Sequence, residues 1–191
     1  NGTFANTALT SIQFPNDMER IGANAFYDCD GLTNLYISNV TTIGNSAFCK
    51  CSNLKTVEIT GANSIGEHCF YLSNNLTNVK LTNIAGIEPY AFKWIPTLTS
   101  IQLKNVISLG TGVFEGESNL LELDLDGTTN IGMWTFKDCP NLTSLGNTNS
   151  ITSLGWYSFA NSLHSIKQFN YTSKKYAYRV FKYNFDKIWF D

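Results

Sequence analysis

Charge is what this sequence has least of. Asp, Glu, Lys and Arg make up 15% of its 191 residues, below the ~25% of an ordinary soluble domain. The formal net charge is only -2. No overall field therefore points to nucleic acid or to an anionic membrane. No apolar run approaches the ~18 residues of a membrane-spanning helix. Histidine is nearly absent, with His68 and His164 alone, and by the logic of the repeat neither sits near a plausible Cys or Ser nucleophile. No Cys-x-x-Cys pair exists, which removes the common zinc spacing. Gly110-Thr-Gly112 and Gly116 lack the lysine that a phosphate loop requires. No secretory leader opens the chain. Phe4 nevertheless falls where the repeat described next requires a Phe, so we expect the missing leader to say little about localisation.

What is present is a phrase that returns every 22 residues. It reads Ile21-Gly-Ala-Asn-Ala-Phe26, then Ile43–Phe48, Ile65–Phe70, Ile87–Phe92, Leu109–Phe114 and Ile131–Phe136. After one extra residue it closes as Leu154–Phe159. A fixed period in this range marks a solenoid, one coil per repeat. Between the phrases runs L-x-x-Φ-x-Φ, where Φ is aliphatic. Its copies are Leu32/Leu35/Ile37, Leu54/Val57/Ile59, Leu76/Val79/Leu81, Leu98/Ile101/Leu103 and Leu120/Leu123/Leu125. Leu9/Ile12/Phe14 is an earlier, slightly shifted copy. The Φ-x-Φ alternation predicts a short strand with one buried face. Strands one repeat apart should stack in parallel, about 4.8 Å apart. The Gly after Ile suits a corner that needs positive φ or a close backbone approach. The Ala-Phe segment predicts a return path of short helix or 3₁₀ turn.

These residues resemble the BspA-like, Treponema-type leucine-rich repeats, whose unit reads roughly L-x-x-I-x-I-P-x-x-V-x-x-I-G-x-x-A-F-x-x-C. Leu32–Ile37, Val40, Ile43-Gly44, Ala47-Phe48 and Cys51 fill that unit in register. The likeness runs from residue 1 to about 170. Ile87-Glu88 departs by lacking the Gly, and the sixth strand, Leu142/Leu145, continues as Gly146-Asn147. That strand should be bulged or weakly paired. The expected architecture is an α/β leucine-rich-repeat solenoid of about seven or eight coils. It is a right-handed superhelix of 22-residue coils with a parallel concave sheet and short helical return segments. Residues 1–172 would hold the repeats. Residues 173–191 would form a capping helix, with Ala177, Val180, Phe181, Asn184 and Ile188 on its apolar face. The cap carries five cations and two acids, so +3, which leaves -5 for the repeats.

The cysteines fall into the frame. Cys29, Cys51 and Cys139 occupy one slot, three after the Phe, and Cys69 replaces the Ala before a Phe. All four read as small buried fillers. A Cys29–Cys51 disulfide between adjacent coils is the alternative. Cys49 shares its column with Tyr27, Tyr71, Lys93 and Lys137, and is expected to be the exposed thiol. His68 shares a slot with Asn24, Ser46 and Tyr90 and is expected to be solvated. Glu122-Leu-Asp124-Leu-Asp126-Gly127 begins like a calcium loop, but Met133 stands where the twelfth-position acid belongs. Repeat register explains those acids better, as outward strand positions.

Two surfaces remain for function. The outward strand positions include Tyr36, Glu58, Lys80, Gln102, Lys104, Glu122, Asp124 and Asp126, on the concave face. The return side carries Tyr90, Trp94, Trp134, Trp156 and Tyr157, and exposed aromatics mark interaction sites. The plainer reading is a solvated sheet for the first and a cover over the core for the second. The resemblance implies extracellular or surface-displayed proteins, bacterial or protist, that act by binding, often as adhesins. No catalytic triad, cofactor or metal is expected. The partner would be a protein of a host cell surface or matrix, and the alternative is a structural spacer with no ligand of its own. Sequons occur at Asn1, Asn39, Asn75, Asn141 and Asn170.

Overall fold

A computed structural model of the protein describes residues 2–162. The proposed cap at 173–191 and the end of the repeat domain lie outside the described residues. Within them the chain is a parallel β-solenoid, one ten-stranded sheet wound through turns of about 22 residues. Six turns close between Phe26 and Phe159, each marked by one ring-on-ring contact. The expectation of seven or eight counted end coils that are incomplete. The Leu9/Ile12/Phe14 copy, for instance, forms no strand.

Two ladders run along the solenoid. The first holds the L-x-x-Φ-x-Φ strands: β2 (Asn34–Ser38), β4 (Thr56–Thr60), β6 (Asn78–Ile87), β7 (Ser100–Leu109) and β8 (Glu122–Leu123). The repeat sets their register: Tyr36 opposes Glu58, Glu58 opposes Lys80, and Lys80 opposes Gln102. Burial alternates as expected, with Leu35, Ile37, Val57 and Ile59 inside. The sixth copy is weakly paired, as its sequence predicts. β8 has two residues, and beyond it the sixth copy forms no strand, with an isolated Ser144–Glu122 bridge and single hydrogen bonds such as Leu125 N–H to the Leu145 carbonyl.

The second ladder is one the sequence reading took for a corner. It holds β1 (Arg20–Ile21), β3 (Thr42–Ile43), β5 (Ser64–Ile65), β9 (Asn130–Ile131) and β10 (Ser153–Leu154). The far ends of β6 and β7 complete it. The glycine that follows each Ile does not need positive φ. It needs the close approach: a Cβ on Gly66 would stand 2.5 Å from the Gly44 carbonyl carbon, and one on Gly132 equally near that of Gly110.

The return path corrects the expectation of helix. No helix occurs among the described residues. Phe26 N–H donates to the Ala47 carbonyl at 2.8 Å, Phe48 to Cys69 at 2.9 Å and Phe70 to Ala91 at 2.7 Å. Around Phe4, Phe26, Phe48, Phe92, Phe114 and Phe136 the residues two before and two after donate forward in the same way, as Asn24 does to Asn45 and Asp28 to Cys49. Amides spent on the next coil cannot close i→i−4 helical bonds. The path is instead a run of turns. The same flanking residues adopt left-handed backbone: Asn24 and Asp28, Ser46 and Lys50, His68 and Leu72, Tyr90 and Trp94 all have φ between 54° and 60°. The rings from Phe4 to Phe159 stack with centroids 4.8–5.7 Å apart, buried from Phe26 onward and exposed at Phe4.

Candidate interaction surfaces

The outward residues of the first ladder form a continuous polar face. Tyr36, Lys80, Gln102, Lys104, Glu122, Asp124 and Asp126 are exposed and Glu58 is half-buried. Tyr36 is the large apolar side chain of this face, 60% exposed at one end. At the other end the shortening of β8 opens a shallow depression of about 510 Å³. Ser100, Gln102, Lys104, Glu122, Asp124 and Ser144 line it. Four of the eight residues chosen from sequence are thus brought together there. Asp124 is held in place: its Oδ1 accepts N–H bonds from Asp126 at 3.1 Å and Asn147 at 2.9 Å. Asp126 in turn accepts from Asn147 Nδ2 at 2.9 Å. Both acids therefore have polar partners, and the calcium reading gains no support from them. Among the described residues no group of His, Cys, Asp or Glu is arranged to hold a metal ion.

The return side carries a second cluster. His68 stacks on Tyr90 with centroids 5.3 Å apart and meets Tyr71 edge-on at 5.2 Å. Tyr71 tilts against Trp94 at 5.8 Å. Lys93 Nζ lies 4.8 Å from the ring centres of both Tyr90 and Trp94, close enough for cation–π attraction. The next coil has glycine in both left-handed slots, Gly112 and Gly116. The Tyr90 and Trp94 rings lie over them, where any Cβ would collide. His68 is thus half-buried in a ring cluster, with Nδ1 3.4 Å from Glu67, and is not the free solvated side chain expected. Trp134 and Tyr157 occupy the same left-handed slot further on, with φ of 57° and 58°. Among the described residues Trp94 and Trp156 are the exposed tryptophans, at 48% and 49%. The structure links Tyr90 with Trp94 through Lys93.

Beside the rings runs an ion row that sequence reasoning missed. Glu115 accepts from Lys93 at 2.9 Å and from Lys137 at 3.0 Å, and Lys137 also reaches Asp138 at 3.0 Å. The signal was available: Lys, Glu and Lys at positions 93, 115 and 137 are spaced by one repeat each. The expectation for Cys49 in this same column fails. Cys49 is buried, and burial pushes its thiol up. Its column neighbours Tyr27 and Tyr71 are larger, so the small thiol sits in the trough between them.

The other four thiols are buried as expected, and all five cysteines are free. They are more than fillers. Cys29, Cys51 and Cys139 donate S–H to the carbonyls of Phe4, Phe26 and Phe114. Cys29 and Cys51 both point along the stack, each to its own carbonyl, which removes the disulfide alternative. A second ladder of donors lies in the turns. Asn53, Asn75, Asn119 and Asn141 donate Nδ2 to the carbonyls of Asp30, Ser52, Pro96 and Ser118 in the preceding coil. Two of the sequons, Asn75 and Asn141, are therefore engaged, whereas Asn39 sits exposed in a left-handed turn with φ of 65°.

The comparisons agree with this geometry. The protein of known structure from Treponema pallidum described as a leucine-rich repeat protein (TpLRR) is 25% identical, with a TM-score of 0.65. The match covers 78% of this chain and 72% of that one. A leucine-rich repeat protein from Bacteroides ovatus is 19% identical over 81% of this chain and 52% of its own, with a TM-score of 0.39. A leucine-rich cell surface protein from Faecalibacterium prausnitzii is 24% identical over 82% of this chain and 59% of its own, with a TM-score of 0.47. Among curated proteins none matches. The family model described as the BspA type leucine-rich repeat region matches residues 1–121 and 63–187, in six copies. With its 22-residue frame, parallel ladders and stacked phenylalanines, the chain belongs to the BspA-type leucine-rich repeat family.

Proposed function

We propose that this chain is a protein-binding module of the adhesin type, acting outside the cell or at its surface and recognising a host cell-surface or matrix protein. Leucine-rich repeats generally mediate protein interactions, and the family membership supports that class. The observation that carries the choice of face is the depression at the end of the first ladder. It brings Gln102, Lys104, Glu122 and Asp124 to one place, with Asp124 preorganised by two backbone N–H groups. A preorganised mixed-charge site favours specific recognition over bulk adhesion. In this reading the chain is not an enzyme and needs no cofactor.

The return side is the second reading, favoured by one observation. Tyr90, Trp94, Trp134 and Tyr157 hold left-handed backbone that a bulky residue adopts at a cost of about 1–2 kcal/mol. Gly2, Asn24 and Gly112 fill the slot of Tyr90, Trp134 and Tyr157 in other coils, and Asn6, Asp28 and Gly116 fill that of Trp94. An aromatic that costs stability there is accounted for by a contact it makes with a partner.

Surface plasmon resonance against immobilised host matrix proteins tests both. Lys104→Glu and Lys80→Glu should change the association rate several-fold and alter its salt dependence, because exposed charges steer encounters. Trp94→Ala and Trp156→Ala should leave it unchanged. If only the tryptophan variants lose binding, through faster dissociation, the return side is the contact. Absence of binding to any partner would favour the spacer.

A further inference from the structure

The core column three residues after the phenylalanine carries a cross-coil side-chain bond in five coils, and between Ser73 and Cys139 the run is broken by Ile95, which has no donor, and by Glu117. Cys29 donates to the Phe4 carbonyl at 2.9 Å, Cys51 to Phe26 at 3.2 Å and Cys139 to Phe114 at 3.1 Å. Ser73 donates to Phe48 at 3.1 Å, and Ser162 to Phe136. The acceptor is always the Phe carbonyl of the coil before. In the Phe114 coil this slot holds Glu117. A carboxylate has no hydrogen to donate. Glu117 is fully buried, and its Oε1 accepts the Ile95 N–H at 2.9 Å. Ser162 Oγ takes the Cys139 N–H at 2.9 Å in the corresponding place. The other carboxyl oxygen, Oε2, is buried without a partner. By the column's rule the acceptor on its side is the Phe92 carbonyl.

We infer that Glu117 is carried as a neutral carboxylic acid whose Oε2–H takes the donor role towards the Phe92 carbonyl, so that the joint between the Phe92 and Phe114 coils is a proton-dependent latch. Among the described residues nothing cationic faces it. From the following coil comes the Cys139 thiol, which burial pushes far above the usual range and which stays neutral. From the preceding coil come the backbone of Trp94 and Ile95, which does not titrate. Lys93, Glu115 and Lys137 satisfy one another in their own row. An isolated buried charge neutralises sooner than stay charged. Consistently, burial pushes the Glu117 carboxyl up to about 8, outweighing the N–H groups of Ile95 and Trp94 that act to lower it.

The sign follows. The unfolded chain releases this proton near the ordinary value of 4.5 and the folded chain near 8. Between those values the folded state holds one more proton, so stability falls as pH rises. It is whole below about pH 4.5, declines by up to tenfold in the folded-to-unfolded ratio per pH unit, and levels off above about 8. The latch lies directly under the backbone of Trp94, so the same proton sets how firmly the aromatic cluster is held.

The test is the urea midpoint of the wild-type chain and of Glu117→Gln from pH 5 to 9. The amide offers one acceptor and two donors, so it can replace the acid's bonds without a proton to lose. The variant should match the wild type at pH 5 and be the more stable above pH 7. Parallel pH profiles for the two would overturn the latch. If Glu117→Gln does not fold, carbon-13 NMR of the wild-type Glu117 carboxyl decides instead. A midpoint near 8 upholds the assignment, and one near 4.5 overturns it.

Discussion

At the residue scale, small side chains in this protein are defined by the coil beside them. Gly66 has no room for a methyl group, because a Cβ would meet the Gly44 backbone at 2.5 Å. Backbone cannot swing aside as a flexible side chain can. Gly66→Ala should therefore cost about 1–3 kcal/mol, the range for overpacking, measured by urea denaturation. The thiols obey a similar logic. All five cysteines are buried, and burial pushes Cys51 up to about 12. Reactivity follows the exposed thiolate. We expect a thiol reagent to modify none of the five quickly in the native protein and all five after denaturation. Rapid native labelling of Cys49 alone would reinstate the reading of its column as exposed. That error has a physical source. Position in the repeat gives the direction of a side chain, but burial depends on the size of its neighbours, here Tyr27 and Tyr71.

At the scale of elements, the phenylalanine spine and the first ladder were legible, because a constant 22-residue spacing sets register and facing at once. Phe70 is fully buried between Phe48 and Phe92, with centroids 5.5 and 4.8 Å away. Phe70→Ala should cost about 3–5 kcal/mol in a denaturant titration, and a loss below about 1 kcal/mol would mean that the stack closes over the gap. The return path was not legible. Tyr90 and Trp134 are residues that favour no left-handed turn, yet they share the slot of Asn24 and Gly112. Their conformation is imposed by forward hydrogen bonds to the next coil, which no local propensity records. The second ladder was hidden for the same reason. A two-residue strand such as Thr42–Ile43 has too little alternation to read, and its pairing exists only once coils are stacked.

At the scale of the molecule, coil-on-coil contact makes stability a sum of neighbour terms, and those terms are unequal. β6 and β7 run ten residues each and join both ladders, with Ile84 opposing Val106 between them. β8 keeps two residues, and past Gly146 the first ladder has lost its regular pairing. The depression proposed for binding lies against this weakened end. Recognition surfaces are commonly drawn from the less stable part of a structure, and here a shortened strand supplies both the cavity and the slack. The pairing predicts a gradient in native-state hydrogen exchange. Amides in the β6–β7 pair, among them Leu103 and Val106, should exchange slowest, near the rate set by global unfolding. Those of Leu123 and Leu125, which donate to the Ser144 and Leu145 carbonyls of the thinned sixth strand, should exchange at least tenfold faster, a difference of about 1.4 kcal/mol in opening free energy. Uniform protection along the solenoid would mean that the coils open only together, and the weakened end could not then adapt to a partner independently of the rest.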